Sequence, residues 1–116
     1  MQYALVIYND YELNRPPEES REVMDAIEQV LARPQVTGWL QLAGLDATTT
    51  VRHDQGKTLL TDGPFIDSKD YIGGLIHIEV EDLDAAIALA ADFQALRRGA
   101  GAIEIRPVRG ESPARA

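Results

Sequence analysis

The sequence has no cysteine and is poor in basic residues. Eleven lysines and arginines stand against nineteen aspartates and glutamates, for a formal net charge of -8. The absence of cysteine excludes disulfides, thiolate nucleophiles, iron–sulfur clusters and thiolate-bound zinc. The excess of acidic residues opposes attraction to phosphate backbones and anionic lipid, so we expect neither nucleic acid nor a membrane as a partner.

Long hydrophobic runs and cofactor motifs are missing as well. The apolar runs are shorter than the roughly 20 residues that a membrane-spanning helix needs. The apolar start, Met1–Tyr8, lacks the basic end and the cleavage site of a signal peptide, so we expect a cytoplasmic protein. His53 and His77 are too few and too far apart for a zinc site, and Gly99–Gly101 lacks the third glycine of a dinucleotide loop. The sequence therefore predicts no metal and no cofactor.

The hydrophobic pattern predicts one α+β domain. The chain has 116 residues, 45% of them hydrophobic, which is enough for a single buried core. Apolar residues that recur every three or four positions predict two helices, and short runs rich in β-branched residues predict strands. The predicted order is a strand at Tyr3–Tyr8, a helix between Pro17 and Pro34, strands at Val36–Leu45, Thr48–His53, Lys57–Leu60 and Tyr71–Glu79, a helix at Leu83–Phe93 with Asp82 as its N-cap, and a strand at Ala102–Val108. The second helix has a predicted apolar stripe of Leu83, Ile87, Ala90 and Ala91.

Without its hairpin, this order is β-α-β-β-α-β, which indicates a ferredoxin-like antiparallel sheet with two helices on one face. Thr48–Leu60 is then an inserted β-hairpin. The other sheet face needs a cover, and a second copy of the chain is the usual one, so we expect a homodimer. We expect the domain to span residues 1–109 and residues 110–116 to form a mobile tail.

Polar residues alternate with aliphatic ones on two of the predicted strands. His77 and Glu79 lie opposite the aliphatic residues of their strand, and Glu104 and Arg106 do the same on the last strand. A histidine oriented by a carboxylate can act as a general base near neutral pH, which makes His77 a candidate catalytic residue and Glu79 and Arg106 candidate ligand contacts. The alternative is a polar dimer interface in which the glutamates and the arginine pair and His77 only has its hydrogen bonds satisfied.

The turn at Thr61–Phe65 supplies further candidates. Asp62 could serve as an acid or base at the end of a strand, or it could cap its own turn by accepting backbone N–H bonds. Phe65 is a candidate ligand contact, with anchoring of the loop to the core as the alternative. Tyr8 and Trp39 could line a pocket or simply pack in the core.

The same turn carries a family resemblance. Asp62-Gly63-Pro64-Phe65 reads Asp-Gly-Pro-Phe, Gly73-Gly74 opens the next strand, and Asp82–Ala86 and Ala102–Val108 continue the pattern. Over roughly residues 1–109 the chain resembles the YCII-related family in its DGPF-motif branch. The resemblance implies a dimeric α+β barrel-like assembly with a cleft between the sheet and its neighbouring loops.

The resemblance implies no settled activity. It points to a small-molecule-binding protein or a cofactor-free enzyme of proton transfer or isomerisation, with its cleft at the sheet face and dimer interface. In that interpretation Asp62 and His77 are catalytic and Tyr8, Phe65, Glu79 and Arg106 bind the ligand. The alternative is a non-catalytic regulatory or interaction domain linked to an extracytoplasmic-function sigma factor. Smaller relatives carry a histidine near the first helix, and Asn14–Arg21 contains none.

Overall fold

The computed structural model describes residues 1–10, 17–97 and 101–110. Apart from Gly110, the predicted tail lies outside these residues. The elements are β1 (Gln2–Asp10), α1 (Pro17–Leu31), β2 (Val36–Gln41), a 3-10 turn (Leu45–Ala47), β3 (Thr49–Asp54), β4 (Lys57–Asp62), β5 (Asp70–Glu79), α2 (Leu83–Leu96) and β6 (Ala102–Pro107). Every predicted helix and strand is present, although the strand predicted to run to Leu45 ends at Gln41.

Four strands form one antiparallel sheet in the order β2-β5-β1-β6, and β3 pairs with β4 as a separate two-stranded sheet. The predicted α+β fold, with an antiparallel sheet, two helices and an inserted hairpin, is therefore confirmed. Gln55 and Gly56 close the hairpin with φ values of 48° and 79°, as the tightest hairpin turns require. None of the helices in the described ranges is long and apolar enough to cross a membrane.

The core lies between the two helices and one face of the four-stranded sheet. Alternation along β1 and β5 places Tyr3, Leu5, Ile7, Ile76 and Ile78 on this face, and all five are buried. The helices cover the face with a second set of buried residues, which are Val30 on α1 and Ala86, Leu89, Ala90 and Phe93 on α2. The opposite face of the sheet carries no helix in the described parts of the chain.

The start of α2 and its buried face differ in how well the sequence predicted them. The side chain of Asp82 accepts a hydrogen bond from the backbone N–H of Ala85 at 2.9 Å, which confirms the predicted N-cap. The predicted apolar stripe is only partly correct, because Leu83 and Ile87 are about half exposed. Ala86 and Ala90, rather than Leu83 and Ile87, face the sheet, and their small side chains allow α2 to pack close to it.

Candidate functional site

A cavity of about 630 Å³ opens between α1, the helix-facing side of the sheet and the end of α2. Its volume falls within the range of small-molecule sites. Most of its wall is apolar, and the wall becomes polar where β1 and β5 end beside α2. The residues that define these two parts are Met24, Ile27, Trp39 and Phe93 on the apolar side and Asn9, Tyr71 and Arg97 on the polar side.

The apolar wall follows from two local patterns. On α1, Val23, Met24, Ile27 and Leu31 recur at helical spacing, so one stripe of the helix faces the cavity. On the edge strand β2, Trp39 pairs with Ile76 and is 55% exposed. An aromatic side chain that remains half exposed at the mouth of a cavity offers a large apolar contact area to a ligand.

Two glycines on β5 shape the floor of the cavity. The register between β1 and β5 shifts by one residue at Gly73, between the pairs Ile7–Gly74 and Tyr8–Ile72. A Cβ on Gly73 would overlap the Asn9 side-chain amide, and a Cβ on Gly74 would lie 2.9 Å from the Leu40 carbonyl oxygen. Neither position has room for a side chain, so β5 lies unusually close to β1 and β2 here. The shift in register also redirects the neighbouring side chains, as β-bulges do.

The polar end of the cavity is organised by Arg97, which is only 5% exposed. Its Nη2 donates to the Tyr8 carbonyl at 2.7 Å and to Asn9 Oδ1 at 3.0 Å. Its Nη1 donates to Gln94 Oε1 at 3.0 Å and to the Ala102 carbonyl at 3.4 Å. The guanidinium therefore ties α2 to the end of β1 and the start of β6. With four of its donors engaged within the protein, we assign Arg97 a positioning role.

The predicted polar face lies on the other side of the sheet. Ala4 of β1 is opposite both His77 and Arg106, so a whole strand separates these two residues. His77 Nδ1 contacts the hydroxyl of Thr37, and that hydroxyl also donates to the His77 carbonyl oxygen at 3.0 Å. Thr37, on the neighbouring strand, therefore provides the side-chain contact that the sequence interpretation assigned to a carboxylate.

Glu79 and Glu104 have other partners. Glu79 Oε1 lies 3.5 Å from the amino group of Met1. Glu104 Oε1 accepts a hydrogen bond of 2.9 Å from the Tyr8 hydroxyl. This bond, together with desolvation and the negative charge of Glu104, raises the pKa of Tyr8 above its ordinary value. The ring of Tyr8 therefore lies on the face opposite the cavity, and only its backbone carbonyl accepts a hydrogen bond from Arg97 on the cavity side.

Asp62 and Phe65 lie at the end of the hairpin. The turn after β4 is held by the Gly63 N–H, which donates to the Thr48 carbonyl at 2.7 Å, and by the Thr50 hydroxyl, which donates to the Gly63 carbonyl at 2.7 Å. Phe65 is 71% exposed, and the Arg52 guanidinium lies 5.8 Å from the centre of its ring. The alternative in which Phe65 anchors the loop to the core is therefore wrong.

The six predicted site residues do not converge on the cavity. Within the described part of the chain, none of them belongs to its lining. Trp39, for which the sequence left open a pocket or a core position, does line the cavity, and most of the other lining residues had been assigned to packing or to secondary structure. Two signals in the sequence point toward this cavity in retrospect. One is the wide apolar stripe of the first helix, and the other is the Gly73-Gly74 pair in a strand that is otherwise bulky.

Comparison with known proteins places the chain in a family. A family model, described as the YCII-related domain, matches residues 1–111. The chain is also similar to an uncharacterised protein of Rhizobium meliloti (strain 1021), with 32% identity over 114 residues that cover 93% of this chain and 92% of the relative. The chain therefore belongs to the YCII-related family.

Proposed function

We propose that this protein binds a small, largely apolar molecule in the cavity between α1, the sheet and α2. The observation that supports the proposal is the cavity itself, with about 630 Å³ of space, an apolar wall and one polar end. Pockets that bind small molecules combine a mainly apolar lining with a few polar groups that orient the ligand. Asn9, Tyr71 and Arg97 are the polar groups at that end.

Binding is the core of the proposal, and chemistry on the bound molecule is an extension of it. Cofactor-free proton transfer or isomerisation would need an acid or a base beside the ligand. Among the described lining residues, Glu28 of α1 carries a carboxylate. A second location for such chemistry is the opposite sheet face, where His77 with Thr37 and Tyr8 with Glu104 would face a separate molecule bound between the two copies of a dimer.

Trp39 provides the direct test, because it is the only tryptophan of the chain and lines the cavity. Its indole N–H therefore gives a single, assignable signal in ¹H–¹⁵N spectra. We expect 2-isopropenylnaphthalene, a flat apolar probe, to shift this signal in a saturable way. If neither this probe nor its ketone analogue 2-acetylnaphthalene changes the signal up to its solubility limit, the proposal is refuted.

A matched pair of variants locates the binding site. Met24 lines the cavity and is 44% exposed, whereas Ile87 on α2 is 46% exposed and is not a lining residue. Met24→Glu places a charge where the apolar probe must sit, so we expect at least tenfold weaker binding. Ile87→Glu introduces the same charge at nearly the same exposure and should leave the affinity unchanged. Equal affinities for both variants would contradict this location.

Several finer assignments accompany the proposal. The strand order β2-β5-β1-β6 supports a ferredoxin-like plan, and the Asp-Gly-Pro-Phe sequence at Asp62–Phe65 supports the DGPF-motif branch of the family. Exposed leucines on the sheet, Leu40 and Leu75, pair across neighbouring strands and support a barrel-like homodimer. Light scattering should then give twice the chain mass of 12.8 kDa, and a stable monomer would contradict the homodimer.

The proposed location is the cytoplasm, which fits the absence of cysteine.

A second candidate function rests on the hairpin. Val51 and Leu60 face each other across β3 and β4 and are both exposed, as is Phe65. Exposed apolar residues on a protruding element favour a regulatory or interaction domain, with an extracytoplasmic-function sigma factor system as the proposed partner. Leu60→Lys separates the two functions, because it should abolish partner binding and leave probe binding in the cavity unchanged.

A further inference from the structure

We propose that the side-chain amide of Asn9 binds an acceptor oxygen of the ligand, so that the cavity selects a planar molecule that carries a carbonyl group. This inference rests on the proposed function, since it names the class of molecule that the cavity takes. It depends on three residues that are distant in sequence and meet at the polar end, namely Asn9, Gly73 and Arg97.

Arg97 determines the orientation of the amide. Asn9 Oδ1 lies 3.0 Å from Arg97 Nη2. A guanidinium has only donors, so the oxygen of the amide must face Arg97 and the NH₂ group must face away from it. Arg97 is itself buried and held by the Tyr8 carbonyl and Gln94 Oε1. The two N–H donors of Asn9 are therefore oriented before any ligand arrives.

Gly73 determines where these donors lie. A Cβ built on Gly73 would overlap Asn9 Nδ2, so the amide nitrogen occupies the space that a side chain at position 73 would take. Gly73 and Asn9 both line the cavity. The shift of strand register at Gly73 redirects the neighbouring side chains, and bulges of this kind are frequent next to active sites.

The NH₂ group has no acceptor among the described residues, because the hydrogen bond of Asn9 to a described residue is the one that its oxygen accepts from Arg97. Asn9 is only half-buried, so its NH₂ group is open to water and to a ligand that replaces that water. A carbonyl oxygen accepts such a bond and is compatible with a flat apolar body lying against Trp39 and Phe93. A site built to form a hydrogen bond also discriminates against an analogue that lacks the acceptor.

Two matched probes test the inference. In 2-acetylnaphthalene the carbonyl oxygen occupies the place of the terminal CH₂ of 2-isopropenylnaphthalene, so the two differ in the acceptor and hardly in shape. The quantity to measure is the ratio of their dissociation constants, by titration of the Trp39 indole signal. Because the ratio within one protein cancels most of the shared apolar contacts, it isolates the effect of the oxygen.

The decisive variant is Asn9→Asp. The carboxylate retains the oxygen that accepts from Arg97 and replaces the NH₂ donor by a second acceptor. We expect the preference for the acetyl probe to fall about tenfold relative to the wild-type protein, since a hydrogen bond is lost and a repulsion is gained. Gln29→Glu makes the same chemical change on an exposed part of α1 outside the cavity and should leave the preference unchanged.

A second measurement does not depend on the variant folding. In the wild-type protein, the side-chain NH₂ signals of Asn9 should shift with the acetyl probe and change much less with the isopropenyl probe. The inference is overturned, while the proposed function stands, if the ratio of the two dissociation constants is the same in the wild-type protein and in all variants and the Asn9 signals respond equally to the two probes. If neither probe binds, the proposed function fails and the inference fails with it.

Discussion

Replacing Arg97 by methionine should destabilise this protein far more than replacing any exposed arginine. The substitution keeps much of the aliphatic stem and removes a guanidinium that is 5% exposed. Four hydrogen bonds disappear, to the carbonyl oxygens of Tyr8 and Ala102 and to the side-chain oxygens of Asn9 and Gln94. These acceptors lie at the junction of β1, β6 and α2, and all four hydrogen bonds are partly buried.

The magnitude follows from the number and burial of these bonds. A hydrogen bond that involves a charged group contributes about 1.5–3 kcal/mol, and such losses do not add fully because acceptors recover some bonds with water. We therefore expect the free energy of unfolding to fall by about 3 kcal/mol, well below the sum of the four bonds. With an unfolding entropy of about 2.1 cal/mol/K per residue, a chain of 116 residues should lose about 12 °C in its thermal midpoint.

Arg33→Met is the matched control, measured by circular dichroism at the same protein concentration. Arg33 Nη1 pairs with Asp92 Oδ2 at 2.9 Å, but the two side chains are 40% and 57% exposed. Exposed ion pairs contribute less than about 1 kcal/mol, so the midpoint should fall by about 4 °C at most. Equal midpoints for the two variants would refute the reasoning that burial of the Arg97 network stabilises the junction.

Three other predictions concern a glycine, a tyrosine and the hairpin turn. Gly101→Ala should cost at least about 2 kcal/mol in urea denaturation, because Gly101 has a φ of 57° and a Cβ there would overlap the Tyr8 carbonyl; an unchanged midpoint would contradict this close approach. The raised pKa of Tyr8 comes first from its hydrogen bond to Glu104, so Glu104→Gln should lower this pKa in a difference titration against Tyr8→Phe. Since the folded state favours the neutral phenol, stability should fall as pH rises above about 10 through the pKa of the folded state. Asp62→Asn should change the free energy of unfolding by less than about 0.5 kcal/mol, because Asp62 is exposed and other groups hold its turn; a loss near 1 kcal/mol would favour the capping role.

Local patterns in the sequence were sufficient for the framework of the fold. The alternation of Leu75, Ile76, His77 and Ile78 predicts which side of the strand faces the helices, and burial of Ile76 and Ile78 confirms it. Pro34 marks the end of the first helix and Asp82 marks the start of the second. Each of these features depends on residues only a few positions apart in the sequence, so it can be predicted without the tertiary structure.

The tertiary structure decided which residues form the cavity. Helical spacing allows more than one face of α2 to be buried when the helix is rich in alanine, and only packing against the sheet selects Ala86 and Phe93 over Leu83 and Ile87. The Asn9–Arg97 hydrogen bond joins residues 88 positions apart, and no periodicity links them. The sequence analysis assigned function to polar residues on strands because their alternation with aliphatic residues can be recognised from the sequence alone. The polar end of the cavity forms only when the register shift at Gly73 and the end of α2 bring distant side chains together, and this depends on long-range contacts that local sequence does not encode.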